Sequence, residues 1–234
     1  MLPVAIVAGG LGTRLQPITS TIPKALVEVN GEPFIVHQLR LLRANHIERA
    51  VVCVGYLGEM IQEAMGEEPV GVHIDYVFDG PTPRGTAGAI KNALPLLGEA
   101  FFVLYGDSYL PCDYRAVQTA FLESDKQGLM TVFRNEGLFD KSNVEFENGA
   151  LVAYEKKEPT VRMHHIDYGL GVFRSSAFRE IPDGVTCDLV AVYQDLLKRG
   201  QLAGFEVKQR FYEIGSFQGL TDTEKFLAQQ TGER

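Results

Sequence analysis

The stretch Val4-Ala5-Ile6-Val7-Ala8-Gly9-Gly10-Leu11-Gly12-Thr13-Arg14-Leu15 decides how this chain is read. A short apolar run rich in β-branched residues reads as a strand. The glycines that follow it directly let backbone N–H groups approach a phosphate or a base with no Cβ in the way. Two familiar glycine motifs fail here. G-x-G-x-x-G needs a third glycine where Leu15 stands, and Pro17 and Pro23 interrupt the helix it requires. The Walker pattern G-x-x-x-x-G-K-[ST] is absent. The glycines alone fit a plain turn as well as a phosphate cradle. Two cations tip the balance. Arg14 and Lys24 flank a proline-punctuated loop in which Pro23 stiffens the approach to Lys24. An extended loop that turns both back over the glycine turn suits a triphosphate, with N–H groups beneath it and two charges neutralising its oxygens.

Outward from this stretch, short apolar runs alternate with amphipathic segments. Residues 4–8, 50–54, 74–78 and 101–105 read as strands, and 34–44, 58–65 and 86–97 carry helical apolar spacing. Such alternation implies an α/β sheet with a parallel core and helices on its faces. After about Gly128 the pattern loosens: 129–133, 144–146, 151–154 and 169–173 read as strands, and 189–198 and 220–229 as later helices. There is no repeat, low-complexity tract or linker. The expectation is one domain over residues 1–234, its first half (1–127) binding nucleotide and its second (128–234) extending the sheet and supplying a lid or acceptor wall.

Composition bounds the function. The 234 residues are 45% hydrophobic and 22% charged, enough for one large core. A net charge of −8 argues against nucleic acid or an acidic membrane as partner. Cys53, Cys112 and Cys187 are odd in number and far apart, which reads as reduced, buried thiols. The N-terminal residues read as a strand, not a secretory leader, and no apolar run approaches the ~20 residues of a membrane helix. The expected compartment is the cytoplasm. His164-His165 is set aside as a metal site, because adjacent strand residues point to opposite faces.

The run Gly9 to Leu15, followed by Pro17, Thr19, Pro23 and Lys24, resembles the signature of the sugar-phosphate nucleotidyltransferases, most of all the heptose- and mannose-1-phosphate guanylyltransferases. The resemblance implies a Rossmann-like three-layer α/β/α fold around a mixed, mainly parallel sheet, a nucleoside triphosphate on the glycine loop, and Mg²⁺ as cofactor. Carried over residue by residue, Ala8, Gly9, Gly10, Gly12 and Thr13 hold the nucleotide, and Arg14 and Lys24 its phosphates.

Five later segments extend the likeness over nearly the whole chain. Asp79-Gly80-Pro81-Thr82-Pro83-Arg84-Gly85-Thr86 matches the base-reading loop, which makes Asp79, Gly85 and Thr86 nucleotide-site candidates; Thr86 is also a candidate helix N-cap. Phe101 to Asp107 is a buried strand whose tip carries Asp107, a metal ligand by resemblance, at the crevice where α/β sheets bind ligands. Glu155 and Lys156 match the pair that binds the acceptor's hydroxyls and phosphate, and Asp167 and Gly169 a stretch near the sugar. Glu213 stands where relatives carry the Asp that is the second metal ligand, one methylene longer.

The implied reaction transfers a nucleoside monophosphate from a triphosphate to a sugar 1-phosphate by in-line attack, releasing pyrophosphate. GTP is the favoured donor, and the protein is expected as a monomer or homodimer. Two other readings stay open: a cytidylyltransferase acting on a non-sugar phosphate, and a non-catalytic nucleotide-binding regulator. No hexapeptide-repeat stretch is present, so a fused acyltransferase is not expected.

Overall fold

The computed structural model describes residues 1–10 and 12–232; Leu11 of the glycine stretch lies outside the described residues. Its strands are β1 (Val4–Val7), β2 (Glu28–Val29), β3 (Glu32–Pro33), β4 (Arg49–Val54), β5 (His73–Phe78), β6 (Ala100–Tyr105), β7 (Ser108–Tyr109), β8 (Gly128–Arg134), β9 (Val144–Glu147), β10 (Ala150–Tyr154), β11 (His165–Arg174), β12 (Leu202–Val207) and β13 (Tyr212–Glu213). Its helices are α1 (Phe34–Ala44), α2 (Gly58–Met65), α3 (Gly85–Leu97), α4 (Tyr114–Ser124), α5 (Leu189–Lys198) and α6 (Phe217–Gly232).

A mixed nine-stranded sheet runs in the order β10-β9-β11-β6-β1-β4-β5, with β8 and then β12 joined to β11. β6, β1, β4 and β5 are mutually parallel, so Ala8, Gly106, Gly55 and Asp79 all follow strands at one edge of the sheet. β11 runs antiparallel to β6, which returns Asp167 to Gly169 to that same edge.

Strand alternation sorts the core into two layers. Val4 and Ile6 of β1 point to one face, where Ile35 and Leu39 of α1, Ile61 of α2 and Phe121 of α4 cover them. Ala5 points to the other, beneath Ala87, Ile90 and Ala93 of α3 and Leu189 and Val192 of α5. A small third cluster, in which Val29, Phe34, Tyr109, Ile214 and Leu227 meet, ties α6 to the rest.

Two long elements, α4 and β12, and the two-residue strands β2, β3, β7 and β13 were not expected from the sequence. α4 buries Tyr114, Val117 and Phe121, and Asp113 caps it by accepting from Ala116 N at 3.0 Å. β12 contains Gly204, where a Cβ would meet Phe146 at 2.6 Å. A glycine there weakens the strand pattern yet admits the phenylalanine. Cys53 and Cys112 are buried, whereas Cys187 is only partly so; all three are free thiols. No helix among the described residues is long and apolar enough to cross a membrane.

Candidate active site

The glycine turn is fixed by close backbone approach. A Cβ on Gly9 would lie 3.3 Å from Gly55 N and 3.4 Å from Asp79 Oδ2; one on Gly55 would lie 3.0 Å from Gly9 O. Gly106 sits equally tightly on Ala8 and donates its N–H to Val7 O at 2.9 Å. Gly12 takes a left-handed φ of 63°, and the buried Thr19 hydroxyl donates to its carbonyl at 2.7 Å. Gly10 and Thr13 face open space.

The proline-punctuated loop is not extended as expected. It coils into three single 3₁₀ turns, Thr13–Leu15, Ile18–Ser20 and Lys24–Leu26. The cations nevertheless reach one place. Lys24 Nζ lies 2.9 Å from Asp107 Oδ2. Arg14 Nη2, Asp107 Oδ2 and Glu213 Oε2 lie 2.9, 3.2 and 2.6 Å from the point a Cβ on Gly215 would occupy. The β7–β13 ladder brings the two acids together: Glu213 pairs with Ser108, and Ile214 N donates to Asp107 O at 2.9 Å. Both oxygens of Glu213 also serve the entry to α6, accepting from Gly215 N and from Ser216 Oγ.

Two carboxylates around a cradle that only a glycine leaves open suit a hard cation whose remaining positions are filled by phosphate oxygen and water. Among the described residues no cluster of three or more His, Cys, Asp or Glu offers a closed metal cage. The fit is to an ion shared with substrate.

Asp79 follows β5 with its carboxylate buried against Gly9 and Gly55, accepting from Arg84 N at 3.3 Å. Burial pushes its pKa above the ordinary carboxylate value, against the lowering effect of that N–H. Arg84 Nε donates to Asp79 O at 2.9 Å and closes the loop on itself. Thr86 is not the cap of its own helix: α3 has Arg84 at its N-cap with no side-chain bond. Thr86 Oγ1 instead accepts from Leu189 N at 2.7 Å and so caps α5. Gly85, with φ 69°, has Cys187 O 2.6 Å from its Cβ position, and the Ala87 and Gly88 N–H groups donate to that same carbonyl. Three of the donors at these two helix starts are thus satisfied by one another's segment.

Of the residues expected to receive the acceptor, Lys156 has its Nζ 5.7 Å from the centroid of the Tyr105 ring. Asp167 is held at a bulge in β11, accepting from Tyr154 Oη at 3.1 Å and from Gly169 N at 3.1 Å. Gly169 has φ 98° and approaches the Tyr105 ring. Glu155 is engaged locally, accepting from Lys157 N at 2.8 Å.

Sequence reading missed Gly55, Gln38 and Tyr105. Gly55 follows β4 as Gly9 follows β1, a signal available in the sequence. Gln38, in the middle of α1, gave none: its buried Nε2 donates to Tyr105 O at 2.9 Å and Ser108 O at 2.7 Å, clamping the turn that carries Asp107.

Known proteins resemble the chain throughout. Mannose-1-phosphate guanylyltransferase catalytic subunit beta of Xenopus tropicalis is 27% identical over 217 residues, 90% of this chain and 60% of that protein. The mannose-1-phosphate guanyltransferase of Aspergillus fumigatus is 29% identical over 227 residues, with the same shares covered. The chain therefore spans about 60% of the length of these curated relatives. Among solved structures, HddC from Yersinia pseudotuberculosis superposes with a TM-score of 0.80 at 24% identity, covering 97% of this chain and all of that one. HddC has also been solved in complex with GMP-PN, and that structure matches with a TM-score of 0.79. The nucleotidyl transferase family model matches residues 4–230, from β1 into α6, and the chain belongs to that family.

Proposed function

We propose that the chain transfers a nucleoside monophosphate from a nucleoside triphosphate to a sugar 1-phosphate. GTP is the donor we favour, because two of its relatives are named as guanylyl- or guanyltransferases. The observation that carries this reading is the convergence of Lys24, Arg14, Asp107 and Glu213 at the sheet edge that also holds the glycine turn.

An oxygen of the sugar phosphate attacks the α-phosphorus. The new P–O bond forms as the bond from that phosphorus to the α,β-bridging oxygen breaks, and pyrophosphate leaves with that oxygen. A phosphate's second pKa is about 6, so the nucleophile is already ionised near neutral pH and needs no general base. The protein's work is alignment and charge neutralisation. Backbone N–H groups of Gly9, Gly10, Gly12 and Thr13 face the triphosphate beside Ala8, whose own N–H donates to Cys53 O at 2.8 Å, and Arg14 and Lys24 stabilise the departing pyrophosphate. Asp79, Gly85 and Thr86 border the base, while Glu155, Lys156, Asp167 and Gly169 receive the acceptor. Lys156 offsets the repulsion between the two anions. Asp107 and Glu213 are the residues that would hold Mg²⁺, which when bound supplies Lewis-acid charge on the phosphate oxygens. We assign the reaction to the cytoplasm, where triphosphates and reduced thiols coexist.

The test is pyrophosphate release across a panel of four triphosphates and several sugar 1-phosphates. Release is expected only when triphosphate, sugar phosphate and divalent metal are all present. Silence across the panel with folded protein would reject the enzyme.

A further inference from the structure

Tyr105 closes β6 two residues before Asp107, and nothing assigned so far uses its hydroxyl. Its backbone is held rigidly, the carbonyl by Gln38 and the next N–H by Val7 O. Its ring separates the two halves of the site. Asp107 follows it in the chain, Lys156 stands over its face, and Gly169 lies against its edge. Among the described residues the hydroxyl makes no hydrogen bond.

Three carboxylates flank this residue: Asp167 of β11, whose Oδ1 accepts at 3.1 Å from the N–H of the Gly169 that lies against the ring, Asp107 two positions on in the chain, and Asp188 at the entry to α5. Asp188 stands at the N-cap of α5 but makes no side-chain cap bond there, while Thr86 serves the Leu189 N–H. Its carboxylate turns back toward the site, with Oδ1 3.2 Å from the Cβ position of Gly85.

A neutral phenol can both donate and accept. Carboxylates nearby disfavour a phosphate at this spot, and the ring face already carries the Lys156 ammonium, which disfavours a ligand cation there. A sugar hydroxyl fits the remaining chemistry, donating to a carboxylate and exchanging a hydrogen bond with the phenol. We propose that the Tyr105 hydroxyl is a specificity-determining contact of the acceptor, hydrogen-bonded to one ring hydroxyl of the sugar whose phosphate meets Lys156. This rests on the sugar-phosphate reading above.

The experiment is Tyr105→Phe in the full chain, assayed with the accepted sugar 1-phosphate and its set of monodeoxy analogues. The hydroxyl bonds to no described protein group, so the variant keeps its packing, and an unchanged melting temperature checks this. Expected is a roughly tenfold rise in KM for the sugar phosphate, the size of one neutral hydrogen bond, with KM for triphosphate unchanged. The decisive readout is selective: for one deoxy analogue, wild type and variant should have equal kcat/KM. A merely structural role would depress every analogue alike, and that result, or an unchanged acceptor KM, overturns the contact while leaving the enzyme reading intact. Wild-type protein silent on every sugar phosphate overturns both.

Discussion

Lys24 Nζ and Asp107 Oδ2 lie 2.9 Å apart although 83 positions separate them in the chain. The pair is partly solvated, with side chains 16% and 27% exposed, so it is worth at most about 1 kcal/mol of stability. Its importance is where it holds two opposite charges, at the tip of β6 beside the glycine turn. Lys24→Ala should therefore cost little in melting temperature yet lower turnover at least 100-fold, a typical loss for a group that neutralises developing charge. Lys156→Ala should instead raise the KM for sugar phosphate and leave triphosphate binding nearly intact. Equal losses of triphosphate affinity in both variants would refute this division.

The cradle at Gly215 gives a second test. A methyl there would meet Glu213 Oε2, Arg14 Nη2 and Asp107 Oδ2, all within 3.2 Å. Gly215→Ala is expected to abolish most activity. Glu213→Gln keeps shape but removes charge, and should raise the Mg²⁺ concentration needed for half-maximal rate. Glu213→Asp shortens the reach to the cation and should give an intermediate loss, partly relieved by Mn²⁺. Were Glu213 only a cap for α6, Glu213→Gln would leave the Mg²⁺ dependence unchanged.

Much of this site could be read in the sequence because its pieces lie at strand ends. Gly9, Asp79 and Asp107 each follow a strand of four to six residues, β1, β5 and β6, and parallel strands end at one edge. What could not be read depends on contacts between distant segments. Thr86 has the local look of a helix cap, yet its hydroxyl serves Leu189, 103 positions away. Gln38 looks like any polar residue in an amphipathic helix until the turn at 105–108 is packed against it. That the Tyr105 hydroxyl bonds to none of the described residues depends on what surrounds it, which no strand pattern encodes.

The Thr86–Leu189 bond predicts a stability effect. Thr86→Val keeps the volume but leaves the Leu189 N–H without its acceptor, at a cost of about 1–3 kcal/mol. For a chain of this size each kcal/mol lowers the melting temperature by roughly 2–4 °C. Differential scanning calorimetry should find the loss. Gly85→Ala should cost more, because its φ of 69° is strained for any side chain and the new Cβ meets Cys187 O at 2.6 Å. Thr86→Ser, which restores the acceptor, should recover most of the stability.

Asp79 offers a test in pH. Its folded pKa is raised by burial, so between the ordinary carboxylate pKa and the raised one the folded protein holds a proton that the unfolded chain has lost. Folding stability must then fall as pH rises through that window, and stay lowered above it by a constant amount. Below the ordinary value both states are protonated and the effect vanishes. Asp79→Asn removes the buried charge and can still present an amide oxygen to the Arg84 N–H. The stability of the variant minus that of wild type should therefore grow from pH 4 upward and then level off, other titrating groups cancelling in the difference. Urea denaturation of both proteins at several pH values measures it. The same variant should bind triphosphate more weakly, if the carboxylate beside Gly9 and Gly55 borders the base as proposed. A stability difference flat in pH would mean that the carboxylate is hydrated in the folded protein, and would remove the buried charge from the account of this loop.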